Sequence, residues 1–432
     1  MARGKKKESA LTPEEKLAQA LVPEDEQPYK VPGNWCWTRT GSIAEVASGG
    51  TPSSSVAEYY EGGTIPWISP ADLSGYNDIY ISSGAKNITE LGLEKSSARL
   101  LPADTVCLSS RAPIGYVAIT QNPLCTNQGF KNFMPSMCYL PKYLYWYLKG
   151  NKELLESYAS GTTFLELSGS KAAVVEIPLA PLAEQQRIVD RIESLFAKLD
   201  EAKEKAQSVL DSFETRKAAI LHKAYTGELT AKWRVEHGVK LGSWQRTKFR
   251  DFCLLKRGFD LPASQRVKGD YPLVSSSGVI DCHNTAQVKG PGVVTGRSGT
   301  IGKVFYIKED YWPLNTTLYS EKLFGNDARY VCYYLHTFDF KSFSSSTAVP
   351  TLNRNLFLDE MVLVPPVNEQ KEIVCILDGL LAKEQQAKDA AEAGLEKIVL
   401  LKKSILARAF RGELGTNDPT EESALELLKK VL

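Results

Sequence analysis

Residues 177–230 read IPLAPLAEQQRIVDRIESLFAKLDEAKEKAQSVLDSFETRKAAILHKAYTGELT, and the chain carries this stretch twice. Residues 362–415, VLVPPVNEQKEIVCILDGLLAKEQQAKDAAEAGLEKIVLLKKSILARAFRGELG, align with it without a gap. Pro181 matches Pro366 and Gly227 matches Gly412, each pair 185 residues apart. That period is far too long for a stacked solenoid, so it implies two similar halves, each ending in the same element. In the first copy Ile188, Ile192, Leu195, Leu199, Ala202, Ala206, Val209 and Phe213 alternate steps of four and three, a heptad seam. The second copy keeps Ile373, Leu377, Leu380, Ala387, Ala391, Ile398, Leu401 and Ile405. Glu384 and Gly394 fall on that seam, which makes the second helix the weaker of the two. Proline stands just ahead of each run and glycine beyond it, as at helix ends. A run of roughly 40 residues at 1.5 Å each gives a rod of about 60 Å. The simplest use of two such rods is to pack on each other, antiparallel with the two globular halves at opposite ends. The plainer alternative is that each helix belongs to its own domain.

The chain of 432 residues is longer than one ordinary domain. No apolar run is long enough to span a bilayer. The N-terminus, MARGKKKESA, lacks an apolar signal core, so a cytoplasmic protein with no membrane partner is expected. Eight scattered cysteines without a C-x-x-C pair, and four histidines without ligand spacing, predict no metal site.

Residues 1–30 read as a polar tail with a short helix near Pro13. From residue 31 to 176 short apolar runs broken by Gly, Pro, Ser and Asn read as strands, among them TIPWIS, DTVCLS and GYVAIT. The aromatic stretch YLPKYLYWYLK, residues 139–149, has helical spacing and reads as core. Residues 243–361 repeat that order. Ser243-Trp244 echoes Asn34-Trp35, and YPLVS echoes IPWIS. TGRSGTIGKVFYI aligned with SSRAPIGYVAI sets Arg297 against Arg111; LNTT matched to CTNQ by its asparagine sets Asn315 against Asn127. Residues 231–242 form a linker, and residues 416–432 a tail with a short amphipathic helix. The fold class is therefore mixed α/β: two globular domains, each followed by a long helix, with an internal pseudo-two-fold repeat.

The sequence holds no G-x-x-x-x-G-K-[ST] phosphate loop, no dinucleotide G-x-G-x-x-G and no G-x-S-x-G elbow. No catalytic residue is assigned and no cofactor is expected on the chain. What remains is a binding protein whose strand ends carry Arg, Asn, Gln, Ser and Thr. Arg can bond guanine, and Asn or Gln adenine, through two hydrogen bonds each. Net charge gives little sign of nucleic acid: ten Lys and Arg face twelve Asp and Glu in residues 33–176, and fifteen face eleven in residues 243–361. The candidate DNA-binding residues are Ser110, Arg111, Asn127, Gln128 and Lys131 in the first half. In the second they are Ser275, Ser276, Arg297, Ser298, Asn315 and Thr316.

GGTP at residues 49–52, IPLAPLAEQQRIV, VPPVNEQKEIV, AYTGELTAKWR and AFRGEL together resemble the specificity subunit of type I restriction-modification systems over nearly the whole chain. The resemblance implies that each globular half is a target-recognition domain reading one half of a split site in double-stranded DNA. The antiparallel helix pair would be the spacer on which two methyltransferase subunits dock, with restriction subunits joining in some complexes. S-adenosylmethionine would then sit on the methyltransferase, and ATP and Mg on the restriction subunit. Two readings from other classes stay open: a self-contained DNA-modifying enzyme with an unrecognised site, and a coiled-coil adaptor that joins proteins without DNA.

Overall fold

The computed structural model describes residues 12–111, 113–161, 165–345 and 351–432. The basic start of the expected tail lies outside them. The chain divides into two compact units, Met1–Glu204 with Glu396–Leu432, and Lys205–Leu395. Each unit therefore holds one globular head, the start of the helix that follows it, and the end of the other copy's helix.

In the first unit a five-stranded sheet runs in the order Val46–Ser48, Phe130–Phe133, Val106–Ser110, Ile114–Thr120, Tyr80–Ile81. A three-stranded sheet holds Lys86–Ile88, Ile65–Ile68 and Cys125–Thr126, the last pair parallel. In the second unit the matching sheets are Leu254–Arg257, Thr317–Lys322, Gly292–Gly296, Val304–Ile307 and Gly278–His283, Lys268–Ser275, Trp312–Pro313. Each head opens and closes on one antiparallel pair, Cys36–Arg39 with Glu176–Leu179 and Gln245–Lys248 with Met361–Val364.

The two long helices are Leu182–Tyr225 and Val367–Ala409, of 44 and 43 residues. Each starts on a buried Glu-Gln pair. Gln185 accepts from Leu140 N at 2.8 Å and donates to the carbonyls of Cys138 and Ala180. Gln370 likewise accepts from Asp327 N at 2.9 Å and donates to Pro365 O and Asn326 Oδ1. The neighbouring glutamates receive the indoles that open the heads, Trp35 on Glu184 at 2.7 Å and Trp244 on Glu369 at 2.9 Å. The repeated EQ therefore anchors each helix to its head, which explains why it recurs. The other helix's end supplies an aromatic wedge: Phe410 meets Tyr143 and Tyr147 edge-on at 5.1 and 5.0 Å, and Tyr225 meets Tyr330 and Tyr334 at 5.4 and 5.0 Å. The aromatic helices are core, as expected.

Within each unit the helices pair antiparallel. Lys402 reaches Asp200 and lies over the Phe196 ring in the first. In the second, Arg216 bonds Glu384 at 2.7 Å and Lys388 lies over Phe213. Ile188, Ile192, Phe213, Ile373, Leu377 and Ile398 are buried, and Leu195, Leu199, Leu380 and Ile405 half-buried, as a seam requires. Leu401 departs from the expectation: it is 44% exposed. The helical turn of 3.6 residues drifts from a strict heptad, and Lys402 takes the facing position, its ammonium lying over the Phe196 ring. Ala202 and Ala387 are exposed for the same reason. Glu384 on the seam is met across the pair by Arg216, which bonds it at 2.7 Å.

The segments outside the heads are not loose. Helix Pro13–Ala20 starts on a capping box from Thr12 and Glu15. Beyond it Val22 N bonds Trp37 O, and Ala20 and Val22 are buried. The expected polar tail is thus, over its described part, a covering layer on the first head. Helix Ala424–Lys429 buries Ala424 and Leu428 in the same core. The expected linker holds helix Ala231–Glu236, whose Arg234 is buried and ion-paired with Glu369 at 2.7 Å. Among the described residues no helix is long and apolar enough to cross a membrane.

Candidate nucleic-acid interface

In each head, one set of backbone bonds gathers the same loops at one end of the sheets. Asn127 N bonds Ile68 O, and Leu314 N bonds Val274 O. Phe130 N bonds Asn127 O, and Thr317 N bonds Leu314 O. Gly50 N bonds Thr126 O, and Phe259 N bonds Pro313 O. Ser110 N bonds Gly129 O at 2.7 Å, and Arg297 N bonds Thr316 O at 2.9 Å. Leu167 N then bonds Ser110 O, and Leu352 N bonds Arg297 O. Glycine is required at Gly49 and Gly258, where a Cβ would collide with the carbonyls of Asn127 and Leu314.

These bonds correct the alignment read from sequence. The structural partner of Arg297 is Ser110, and that of Arg111 is Ser298. Asn315 corresponds to Gln128 and not to Asn127, whose place is taken by Leu314. Matching Arg to Arg and Asn to Asn slipped the register by one residue, and in extended chain a slip of one turns a side chain to the other face.

Several candidates are buried, or half-buried and mostly tied into the loops themselves. Ser110 is fully buried, its hydroxyl donating to Gly129 O at 3.0 Å. Lys131 is 5% exposed, with Nζ 3.5 Å from Gln128 O beneath the loop. Burial pushes its pKa down; the Glu166 carboxylate pulls the other way and Arg111 adds to the depression. Asn127 spends its Oδ1 on Gly129 N at 2.8 Å. Ser275 bonds Gly278 O and Ser277, which fixes a turn. Ser276 is half-buried beside Gly296 and Gly299. Thr316 has a buried hydroxyl with no hydrogen-bond partner among the described residues.

The rest converge. Arg111 is partly exposed, its guanidinium 3.9 Å from Glu166. Gln128 is exposed and bonded to Thr51. In the second head Arg297 donates from Nη1 to Asn315 O at 3.1 Å, and Asn315 bonds the exposed Asp260, which Arg257 faces at 3.8 Å. Ser298 bridges to Thr351. Thr51, Glu166, Arg257 and Asp260 were missed from sequence. Thr51 lies in the quoted GGTP, but only the register just described makes it the counterpart of Asp260.

The arginines give a first test. Arg111→Ala and Arg297→Ala are each expected to weaken DNA binding by about 1–3 kcal/mol if the contact is bidentate to a base. A phosphate contact would weaken all sequences alike and lower the salt slope by about one. Fluorescence titration at several salt concentrations separates these, and unchanged affinity in the double variant would assign both residues a structural role.

Comparison with known proteins fits this architecture of two heads and two anchored helices. Residues 32–210 and 242–393 match the type I restriction modification DNA specificity domain, so the chain belongs to that family. It is 46% identical over 184 residues to the type I restriction enzyme MjaIX specificity subunit of Methanocaldococcus jannaschii, a match spanning 42% of each chain. It is 32% identical over 160 residues to the EcoR124I/EcoR124II specificity subunit of Escherichia coli, over 36% of this chain and 39% of that one. These two matches thus span about two fifths of either relative's length. The StySPI specificity subunit of Salmonella potsdam is 23% identical over 93% of this chain and 96% of its own. The solved HsdS subunit of Thermoanaerobacter tengcongensis shares the fold, with a TM-score of 0.65 at 17% identity, over 90% of this chain and 99% of its own.

Proposed function

We propose that this chain is the DNA sequence-specificity subunit of a type I restriction-modification complex. Each head reads one half of a split, asymmetric site, and the helix pair carries two methyltransferase subunits. The observation that supports this most is that one backbone scaffold recurs in both heads while its exposed side chains differ. Two copies of a scaffold with unlike tips suit two unlike half-sites. The adaptor reading has no use for such tips.

Methyl transfer is assigned to the partner. A methyltransferase must take its target base out of the stack and needs placement on a site; this chain supplies placement. S-adenosylmethionine belongs to the methyltransferase, and ATP and Mg to a restriction subunit where one joins. The test is methylation of a DNA library by the purified chain, by a cognate methyltransferase subunit, and by both. Sequence-selective methylation should appear only with both. Turnover by the chain alone would instead establish the self-contained enzyme.

A further inference from the structure

The common register isolates one pair of side chains in each head that the scaffold does not use. Thr51 and Gln128 stand in the first head where Asp260 and Asn315 stand in the second. The two loops are held alike. Gly49 N bonds Phe130 O at 3.4 Å and Gly258 N bonds Thr317 O at 3.1 Å; Gly50 N and Phe259 N each bond the neighbouring strand at 2.8 Å. In both heads the side chain two residues beyond the forced glycine meets the side chain at the same point of the facing loop, Thr51 on Gln128 and Asp260 on Asn315. Thr51, Gln128 and Asp260 are exposed and Asn315 half-buried. Other polar groups of these loops are bonded to the protein: Asn127 Oδ1 to Gly129 N and Ser110 Oγ to Gly129 O, while Arg297 gives Nη1 to Asn315 O and keeps further donors.

We propose that these two pairs are base-reading positions, resting on the reading of the chain as a DNA-specificity subunit. Gln128, with Thr51 steadying it, presents one amide donor and one acceptor, the pattern that adenine meets in the major groove. Asp260 only accepts, so it takes an exocyclic amino group, cytosine N4 or adenine N6. Opposite guanine O6 or thymine O4 two acceptors meet, and the wrong base is rejected by repulsion as well as by a lost bond. A bare carboxylate near phosphates lowers affinity for every sequence. Arg257, 3.8 Å from Asp260, offsets that charge, and the amino group of the right base repays it. The pairs differ in charge and reach on one scaffold, so the two half-sites differ at the matching base.

The test uses the full chain with its methyltransferase subunit on a library randomised through both half-sites. Variants are Asp260→Asn, which keeps the shape and removes the charge, and Gln128→Ala. Asp260→Asn should change the preference at one base of one half-site by roughly tenfold to a hundredfold and leave the other half as it was. Gln128→Ala should do the same at one base of the opposite half. Preferences unchanged at both half-sites, or a uniform loss on all sequences, would overturn the assignment. If the unsubstituted complex shows no sequence preference, the specificity-subunit reading itself fails; a selective parent with unchanged variants fails only the pairs.

Discussion

Seven residues inserted after Glu204 and seven more after Glu396 should lengthen the preferred gap between half-sites by about three base pairs. A whole heptad keeps the apolar seam in phase on each helix. It adds about 10 Å at 1.5 Å per residue, and DNA advances about 3.4 Å per base pair. The antiparallel pairing seen within each unit, through Lys402 and Asp200 in one and Arg216 and Glu384 in the other, calls for insertion in both helices. One insertion alone mispairs the seam and should cost more activity than two. Three base pairs also turn one half-site around the duplex, since a turn takes about ten, so affinity should fall while the gap preference moves. Methylation of a library with randomised gaps reads both effects. A folded double insertion that keeps the original gap at full activity would show that the helices do not set the spacing.

The largest loss of stability is expected from Glu369→Ala. Glu369 is fully buried and accepts from Trp244 Nε1, Thr230 Oγ1 and Arg234 Nη1, the last two at 2.7 Å. Removing the carboxylate strands the Arg234 guanidinium, which is 10% exposed. Breaking one side of such a pair costs about 3–5 kcal/mol, a large share of the ~5–15 kcal/mol that holds a domain together. Glu184 is the matching residue, but its hydrogen-bond partners, Trp35, Thr416 and Asn417, are neutral, and the nearby Arg187 is held by Glu421. Glu184→Ala should cost less, about 1–3 kcal/mol for a buried polar group left unpaired. Urea unfolding of the two variants compares them. Equal losses would mean that the charge on Arg234 contributes nothing beyond an ordinary hydrogen bond.

Much of the architecture is legible in the sequence because the chain states it twice. The repeat at residues 177–230 and 362–415 locates both helices, and the tryptophans at 35 and 244 locate both head entrances. Long periodic helices and buried aromatic stripes leave strong patterns. The reading faces do not. Thr51 and Asp260 share a place in the scaffold but no chemistry, so no comparison of residue types pairs them. Arg111 and Arg297 share a type but not a place, which is why they align falsely. Only backbone hydrogen bonds separate these cases, since they fix position without regard to side chain. The segments ahead of the first head and behind the second helix show their short helices in the sequence but not their burial. Their polar composition hides the few residues, Ala20, Val22, Ala424 and Leu428, that bury against the head.

The most direct measurement of the central claim is a head exchange. Residues 33–176 would be replaced by the corresponding segment of a relative, and methylated sites mapped in cells carrying the parent or the exchanged chain. The account predicts that one half-site changes to the relative's, with the other half-site and the gap retained. A change in both halves, or in neither, would contradict it.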